Sequence, residues 1–285
     1  MSEIEITKLK EEIEKLKKEA SNREWGIKKT NEGIKLLYKE LEQKNRELQQ
    51  LDRMKSEFVS TVSHELRTPM AIIKESLSQI LEGILGDVPD PQRRLLNMAL
   101  NNINRLARII NNLLDISKIE AGETVVKRED FDITAAAREV IESFAAHVNP
   151  KGLELDLKAP DQPLIINADR DKIIQVFTNL IGNAVKFTAQ GGITLTLEDK
   201  GETMQAAVVD TGTGISESDL PKVFGKFQQF GRKDGPGDKG TGLGLAISKG
   251  IVELHKGSIW VESKLNEGTK FVFILPKKNT SEGSS

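Results

Sequence analysis

The chain has 285 residues, no cysteine and a formal net charge of −2. That balance argues against a general nucleic-acid or anionic-membrane binder, and the lack of thiols excludes disulfides and thiolate metal sites. No apolar run approaches the roughly 20 residues that cross a bilayer, and the opening Met1-Ser2-Glu3-Ile4-Glu5 is no signal peptide, so the expectation is a soluble, cytoplasmic chain without membrane contact.

From Ile6 to Val62 a seven-residue repeat runs unbroken. One series carries Ile6, Ile13, Ala20, Ile27, Ile34, Leu41 and Leu48; the other carries Leu9, Leu16, Leu37, Leu51 and Phe58. Arg23, Thr30, Lys44 and Lys55 are its weak layers. Isoleucine at one seam position and leucine at the other favour a parallel two-stranded coiled coil, which makes residues 1–53 a signalling helix and the protein a homodimer. A single surface helix would leave so long a stripe with nothing to bury against.

The stretch Ser63-His64-Glu65-Leu66-Arg67-Thr68-Pro69 follows on the same helix. Apolar residues at Phe58, Val62, Leu66, Ile73 and Leu77 mark the face that the helix is expected to bury. At roughly 100° per residue His64 lies about 200° from Val62, with Thr68 one turn further on the same outward side. His64 therefore points at solvent with Glu65 beside it, where a neutral imidazole is a usable nucleophile and a carboxylate can orient it or accept its proton. The bland alternative is a solvated helix histidine. Pro69 changes the weighing, because proline inside an apolar helical pattern costs about 3 kcal/mol unless a bend is wanted. The helix ends near Gly83, Gly86-Asp87-Val88-Pro89-Asp90-Pro91 is a turn, and a second amphipathic helix carries Leu96, Ile103, Leu106, Ile110 and Leu113 to about Gly122. Two such helices per chain, paired in a dimer, give an antiparallel four-helix bundle over residues 54–122.

Beyond Gly122 strands and helices alternate. Val125 to Phe131 reads as a strand, Ile133 to Val148 as a helix, Leu153 to Leu157 and Leu164 to Asn167 as short strands, and Asp169 caps a helix from Arg170 to about Phe187. Ile193 to Glu198 and Met204 to Val209 read as a hairpin pair around Gly201. A helix begins near Gly242 and ends by His255, and strands follow at Ser258 to Glu262 and Thr269 to Leu275. The fold class is α+β: helical coiled coil and bundle, then an α/β sandwich over residues 123–278. The polar tail from Lys277 onward reads as disordered, with residues 279–285 outside any domain. His147 and His255 stand at helix ends and read as structural or solvated.

Three motifs of this domain carry nucleotide chemistry. Asn179 and Asn183 share a helix face, so their amide oxygens can converge on a hydrated Mg²⁺ while Lys186 reaches a phosphate. Asp210-Thr211-Gly212-Thr213-Gly214-Ile215 ends a buried strand, where a fixed carboxylate accepts from an adenine amino group and glycines let the backbone approach the base. Gly240-Thr241-Gly242-Leu243-Gly244-Leu245 opens a helix whose free N–H groups make a phosphate cradle. Each motif alone is weak; the three in order within one domain are not. The polar run Gly231 to Lys239 between Phe224-Gly225-Lys226-Phe227 and the cradle reads as a lid.

SHELRTP resembles the H box of sensor histidine kinases, and the asparagine helix, DTGTGI, FGKF and GTGLGLAI resemble their N, G1, F and G2 boxes. The resemblance implies a Bergerat-type ATP-binding domain, with ATP and Mg²⁺ as ligands. It implies His64 as phosphoacceptor, Glu65 as the adjacent acid/base and Thr68 as a positioner of water for dephosphorylation of a partner. Asn183 then holds Mg²⁺, Asn179 supports it, and Lys186 and Phe187 close the same box. Asp210, Gly212, Gly214 and Thr269 fall at the adenine end, and Gly240, Thr241, Gly242, Leu243 and Gly244 at the phosphates. Lys239 stands where many relatives have glycine, and adds a phosphate contact or stiffens the lid hinge. The implied partner is the receiver domain of a response regulator. Two competing readings remain: a nucleotide-binding dimeric scaffold without phosphotransfer, and an ATPase of the gyrase and MutL type.

Overall fold

The structure, a computed structural model, describes residues 3–84, 86–229 and 240–278. The lid segment Gly231–Lys239, Lys239 with it, and the tail 279–285 lie outside the described residues, as do the side chains of Ile6, Leu9 and Ile27. The chain divides into two compact units, Met1–Glu57 and Phe58–Ser285. The first helix, α1, spans Glu3–Leu81 and runs through Pro69. In the first unit its apolar stripe stands open, with Ile13, Leu16, Leu37, Leu41 and Leu48 all exposed, and local pairs such as Lys44–Glu47 at 2.8 Å lie along its surface.

The second unit begins with a helical hairpin. Helix α2, Asp90–Glu120, starts at a proline-bearing first turn, and the Arg93 guanidinium donates to the Leu81 carbonyl at 3.0 Å, joining its start to the end of α1. Further along, Arg67 donates to the Asn111 side chain at 3.0 Å. Around that level the buried residues are Ser63 and Met70 on α1 and Ile110 and Leu114 on α2. The face expected to be buried, Val62, Leu66 and Ile73, is exposed in the single chain. The two faces are roughly 70° apart around the helix at about 100° per residue, and the hairpin alone covers only the Ser63–Met70 side.

The sheet domain follows from its caps. The Asp132 carboxylate accepts from the Thr134 N–H at 2.9 Å and starts α3, Ile133–Val148. Asp169 accepts from Lys172 N–H at 3.1 Å and starts α4, Arg170–Phe187. Strand β1 is shorter than expected, Glu129–Asp132. Val125 stays exposed because ahead of β1 the backbone is held by side chains instead of a ladder: the Lys127 N–H donates to Asp169 Oδ2 at 2.9 Å. Strands β2, Glu154–Lys158, and β3, Ile165–Ala168, come next, and β1 pairs with β3 as a separate antiparallel ribbon.

The main sheet adds β4, Gly192–Asp199, β5, Thr203–Asp210, then after helix α5, Gly244–Leu254, β6, Ser258–Lys264, and β7, Gly268–Pro276. Its order is β2-β4-β5-β7-β6, parallel only at β2–β4. Alternate residues of the central strands, among them Leu195, Ala206, Val208 and Phe273, share one core with Phe177 and Leu180 of α4 and Ile247 and Ile251 of α5. That is the period-two pattern of a sheet buried on one face against helices. Lys277, expected to open the disordered tail, is instead tied down: its carbonyl accepts from Asn167 N–H at 2.9 Å and its ammonium meets both Asp199 oxygens at 2.8 Å.

Candidate active site

Helices α4 and α5 and the ends of β5 and β7 enclose a cavity of about 740 Å³. Its floor is Asp210, the last residue of β5, paired in register with Thr269 of β7. The carboxylate accepts from the Gly212 N–H at 2.8 Å. Burial pushes the Asp210 carboxyl above the usual carboxylate range, against the pull of the Gly212 and Thr269 backbone N–H groups. A buried acceptor of this kind is satisfied by a donor-bearing ring entering from the cavity. Gly214 also lines the cavity. It has φ +66°, and a Cβ there would meet the Lys264 carbonyl at 2.0 Å, so only glycine turns the chain here. Gly212 serves through its backbone, standing against the Phe187 carbonyl.

At the other end Gly240, Thr241, Gly242 and Gly244 line the cavity. Gly242, at φ +69°, comes so close to Phe227 that a Cβ would lie 2.8 Å from its Cα. Gln229 donates to the Gly240 carbonyl at 2.7 Å and holds the start of the cradle. Leu243 is fully buried behind it, and its N–H is turned to Thr241 Oγ1 at 3.2 Å. Its part in any ligand contact is therefore to fix the loop. The N-terminal end of α5 beyond this loop carries the positive end of the helix dipole.

Asn179, Asn183, Lys186 and Phe187 of α4 all line the cavity. Asn179 directs its amide N–H groups to the Gly244 carbonyl at 3.2 Å and Ser248 Oγ at 3.3 Å, tying α4 to the first turn of α5. Asn183 is a cavity-facing amide one turn further along. The Lys186 ammonium lies 5.0 Å over the Phe187 ring and 2.8 Å from where a side chain on Gly240 would begin. Cationic side chain and cradle thus meet at one end, and the acceptor Asp210 stands at the other. His64, Glu65 and Thr68 are exposed on α1 while Ser63 is buried. The contact from Arg67 of α1 to Asn111 of α2 lies next to the cavity, because the following residue, Asn112, donates to Thr241 Oγ1 at 3.0 Å.

Two family models match the chain: the His Kinase A (phospho-acceptor) domain over residues 54–122 and the histidine kinase-, DNA gyrase B- and HSP90-like ATPase over residues 168–279. Sensor histidine kinase WalK of Bacillus subtilis is 34% identical over 235 residues, covering 81% of this chain and 38% of that protein. The chain belongs to the sensor histidine kinase family. Among solved structures, full-length ShkA in complex with AMPPNP is 28% identical with a TM-score of 0.67, covering 77% of this chain and 45% of that one. Histidine kinase ThkA in complex with response regulator protein TrrA is 28% identical with a TM-score of 0.55, covering 78% of this chain and 61% of that one. The chain spans well under half the length of the curated sensor kinases it matches.

In this histidine kinase the cavity also recruits residues that the boxes do not announce. His147, exposed, meets the Phe144 ring at a tilt, 5.8 Å between centroids, and both line the cavity with Lys151. Ser263 of β6 accepts from the Ile215 N–H at 2.9 Å and donates to the Gly268 carbonyl at 2.7 Å, bracing the loop after Asp210. Arg108 and Asn112 come from α2. A polar residue on an amphipathic helix carries no local mark of the surface it will touch, so none of these was legible from spacing. His255 is buried and structural: Nε2 accepts from the Asp169 N–H at 3.0 Å while Nδ1 donates to the Ile251 carbonyl at 2.8 Å.

Proposed function

We propose that the chain is an ATP-dependent protein-histidine kinase that phosphorylates His64 and passes the phosphoryl group to an aspartate of a response-regulator receiver domain. The observation that carries this reading is the bond from Asn112 to Thr241 Oγ1. It docks the phosphate cradle on α2 one residue from Asn111, which Arg67 binds one turn after His64. Adenine would meet Asp210, the phosphates would meet the Gly240–Gly244 loop and Lys186, and Phe187 and Thr269 would flank the bound nucleotide.

In the transfer, a ring nitrogen of His64 attacks the γ-phosphorus, the bond to the bridging oxygen of the departing ADP breaks, and Glu65 takes the ring proton. Phosphoryl transfer depends on positioning and charge neutralisation more than on covalent chemistry by the protein. The amide oxygen of Asn183 suits Mg²⁺, a hard cation that keeps most of its water and binds phosphate oxygens; when bound it would neutralise the charge of the β- and γ-phosphates. In the second step the receiver aspartate attacks the phosphorus and the N–P bond of His64 breaks. Thr68, one turn from His64, would orient water in a phosphatase reaction on the same partner. The partner class is supported by ThkA having been solved with a response regulator. A parallel homodimer is supported by the open stripes of Leu37, Leu41 and Leu48 and of Val62 and Leu66. We read the chain as a cytoplasmic portion, since ATP is its substrate.

The test is incubation with γ-labelled ATP. Label that is acid-labile, base-stable and lost in His64→Gln is the expected result. Absence of label on a folded, nucleotide-bound sample would overturn the assignment, whether the protein is then a scaffold or an ATPase.

A further inference from the structure

We infer that the bundle helix α2 completes the nucleotide site, with Arg108 as a binding residue for the terminal phosphates and Asn112 as the positioning residue that sets it there. This rests on the nucleotide reading above and adds a wall to that site from outside the ATP-binding domain.

Arg108, Asn112, Asp115 and Ile119 follow one another at helical spacing and form one face of α2. Every member meets the sheet domain. Asn112 donates to Thr241 Oγ1 at 3.0 Å. Asp115 accepts from Gln175 Nε2 at 2.7 Å and lies 3.8 Å from the Lys172 ammonium. Ile119 sits against Gly250 of α5 so closely that a Cβ on that glycine would lie 2.7 Å from its Cγ2. One residue on, Glu120 pairs with Lys226. Arg108 itself lines the cavity.

The direction of the helix decides what Arg108 is for. Thr241 belongs to the cradle, so Asn112 marks the phosphate end of the cavity, and Arg108 stands one turn before it on the same face. The Asp210 end is the far wall. Among the cavity-lining residues Arg108, Lys151 and Lys186 are cations and Asp210 is the one carboxylate. The Lys186 ammonium lies beside the cradle, 2.8 Å from where a side chain on Gly240 would begin, and Arg108 lines the same cavity from α2. Guanidinium matches phosphate oxygens with two parallel N–H donors, a geometry a single ammonium does not supply. Because the phosphates bridge the cradle and α2, nucleotide binding and docking of the domain on α2 strengthen each other by the same factor.

The experiment is calorimetric titration of the full chain with ATP, ADP and adenosine, each with Mg²⁺, for wild type, Arg108→Gln and Arg108→Lys. Loss of one charge-assisted contact is expected to weaken ATP about tenfold in Arg108→Gln, ADP less, and adenosine not at all; Arg108→Lys recovers part of the ATP affinity. Asn112→Ala is expected to lower ATP affinity in wild type but to have no further effect in Arg108→Gln. Unchanged ATP affinity in Arg108→Gln, or an equal loss for ATP and adenosine, would overturn the inference. His64→Gln separates the two readings. If it and wild type bind ATP alike and Arg108→Gln does not, while wild type takes no label, the phosphoacceptor assignment falls and this inference stands. If wild type is labelled on His64 and Arg108→Gln binds ATP normally, the reverse holds.

Discussion

Between Ile13 and Leu48 the apolar stripe of α1 stands open, with Leu37 66% and Leu41 60% exposed, whereas on α4 Ile173, Phe177, Leu180 and Ile181 are all fully buried. Both stripes have helical period, and both helices are strongly patterned. They differ in where the covering surface comes from. Helix α4 finds it in the same chain, in β4, β5 and α5, so its stability is an internal matter. The first unit has no such surface among its described residues, and its exposed pairs, such as Lys17–Glu14 at 3.1 Å, contribute only a few tenths of a kcal/mol each. The lesson is that one periodicity yields a core in one place and an interface in the other, and that only the second should depend on protein concentration.

The largest effect that can break this contrast is in the core. Phe177→Ala removes a fully buried ring that packs at a tilt on Phe273, 5.6 Å between centroids, and is expected to cost about 3–5 kcal/mol, enough to unfold the sheet domain near physiological temperature. Its thermal transition should not move with dilution. Leu41→Ala should leave that transition in place and lower a second, helical transition whose midpoint falls on dilution. A helical signal indifferent both to dilution and to Leu41→Ala would erase the distinction between the two stripes.

Helix α2 stands between these regimes. Its Asn112–Ile119 face is covered by the chain's own domain, while Leu95, Met98 and Leu106 are exposed. A covalent clamp sharpens the comparison by fixing the covered face. An ideal Cβ on Gly250 lies 3.7 Å from the Ile119 Cβ, inside the span a disulfide needs, and the chain contains no cysteine to compete. The double variant Ile119→Cys/Gly250→Cys should cross-link under mild oxidation. The oxidised form is expected to bind ATP as the reduced form does and to lose label transfer to His64 by about tenfold or more, because a domain locked at the Ile119 contact cannot make the final approach that aligns the γ-phosphate with the imidazole. Reductant should restore it. Equal labelling in both forms would mean that the docked posture is already the transferring one.

How much of this was legible in the sequence follows the range of the contacts. The start of helix α4 is legible because Asp169 caps it through a bond spanning three residues, and the cap of α3 by Asp132, two residues from its partner, is just as local. The cradle and the strand-end aspartate were read because their glycines announce close approach locally. Asn112 and Thr241 are 129 positions apart, and nothing near Arg108 or Asn112 distinguishes them from a solvated face. The same reason hid the anchoring of Lys277 by Asp199, a contact between positions 78 apart. The open face of Val62 and Leu66 was read as buried because periodicity tells that a stripe will be covered and not by whom.

The smallest expected effect tests the sealed side of the comparison through pH. Burial holds the His255 imidazole below its ordinary range, against the Ile251 carbonyl that accepts its Nδ1–H; the Arg128 charge adds to the depression and Asp169 opposes it. With the folded value depressed, the unfolded chain binds the proton more readily between that value and about 6.5. Stability of the sheet domain should therefore be complete above about pH 6.5 and fall as the pH drops through that window. His255→Gln keeps an acceptor for the Asp169 N–H and loses the bond to Ile251, so it should cost about 1 kcal/mol at pH 7. It should also flatten the decline below pH 6.5, since glutamine has no proton to gain. A decline equally steep in wild type and variant, followed by thermal denaturation from pH 7 to pH 5, would assign it to groups other than the ring that joins α5 to the cap of α4.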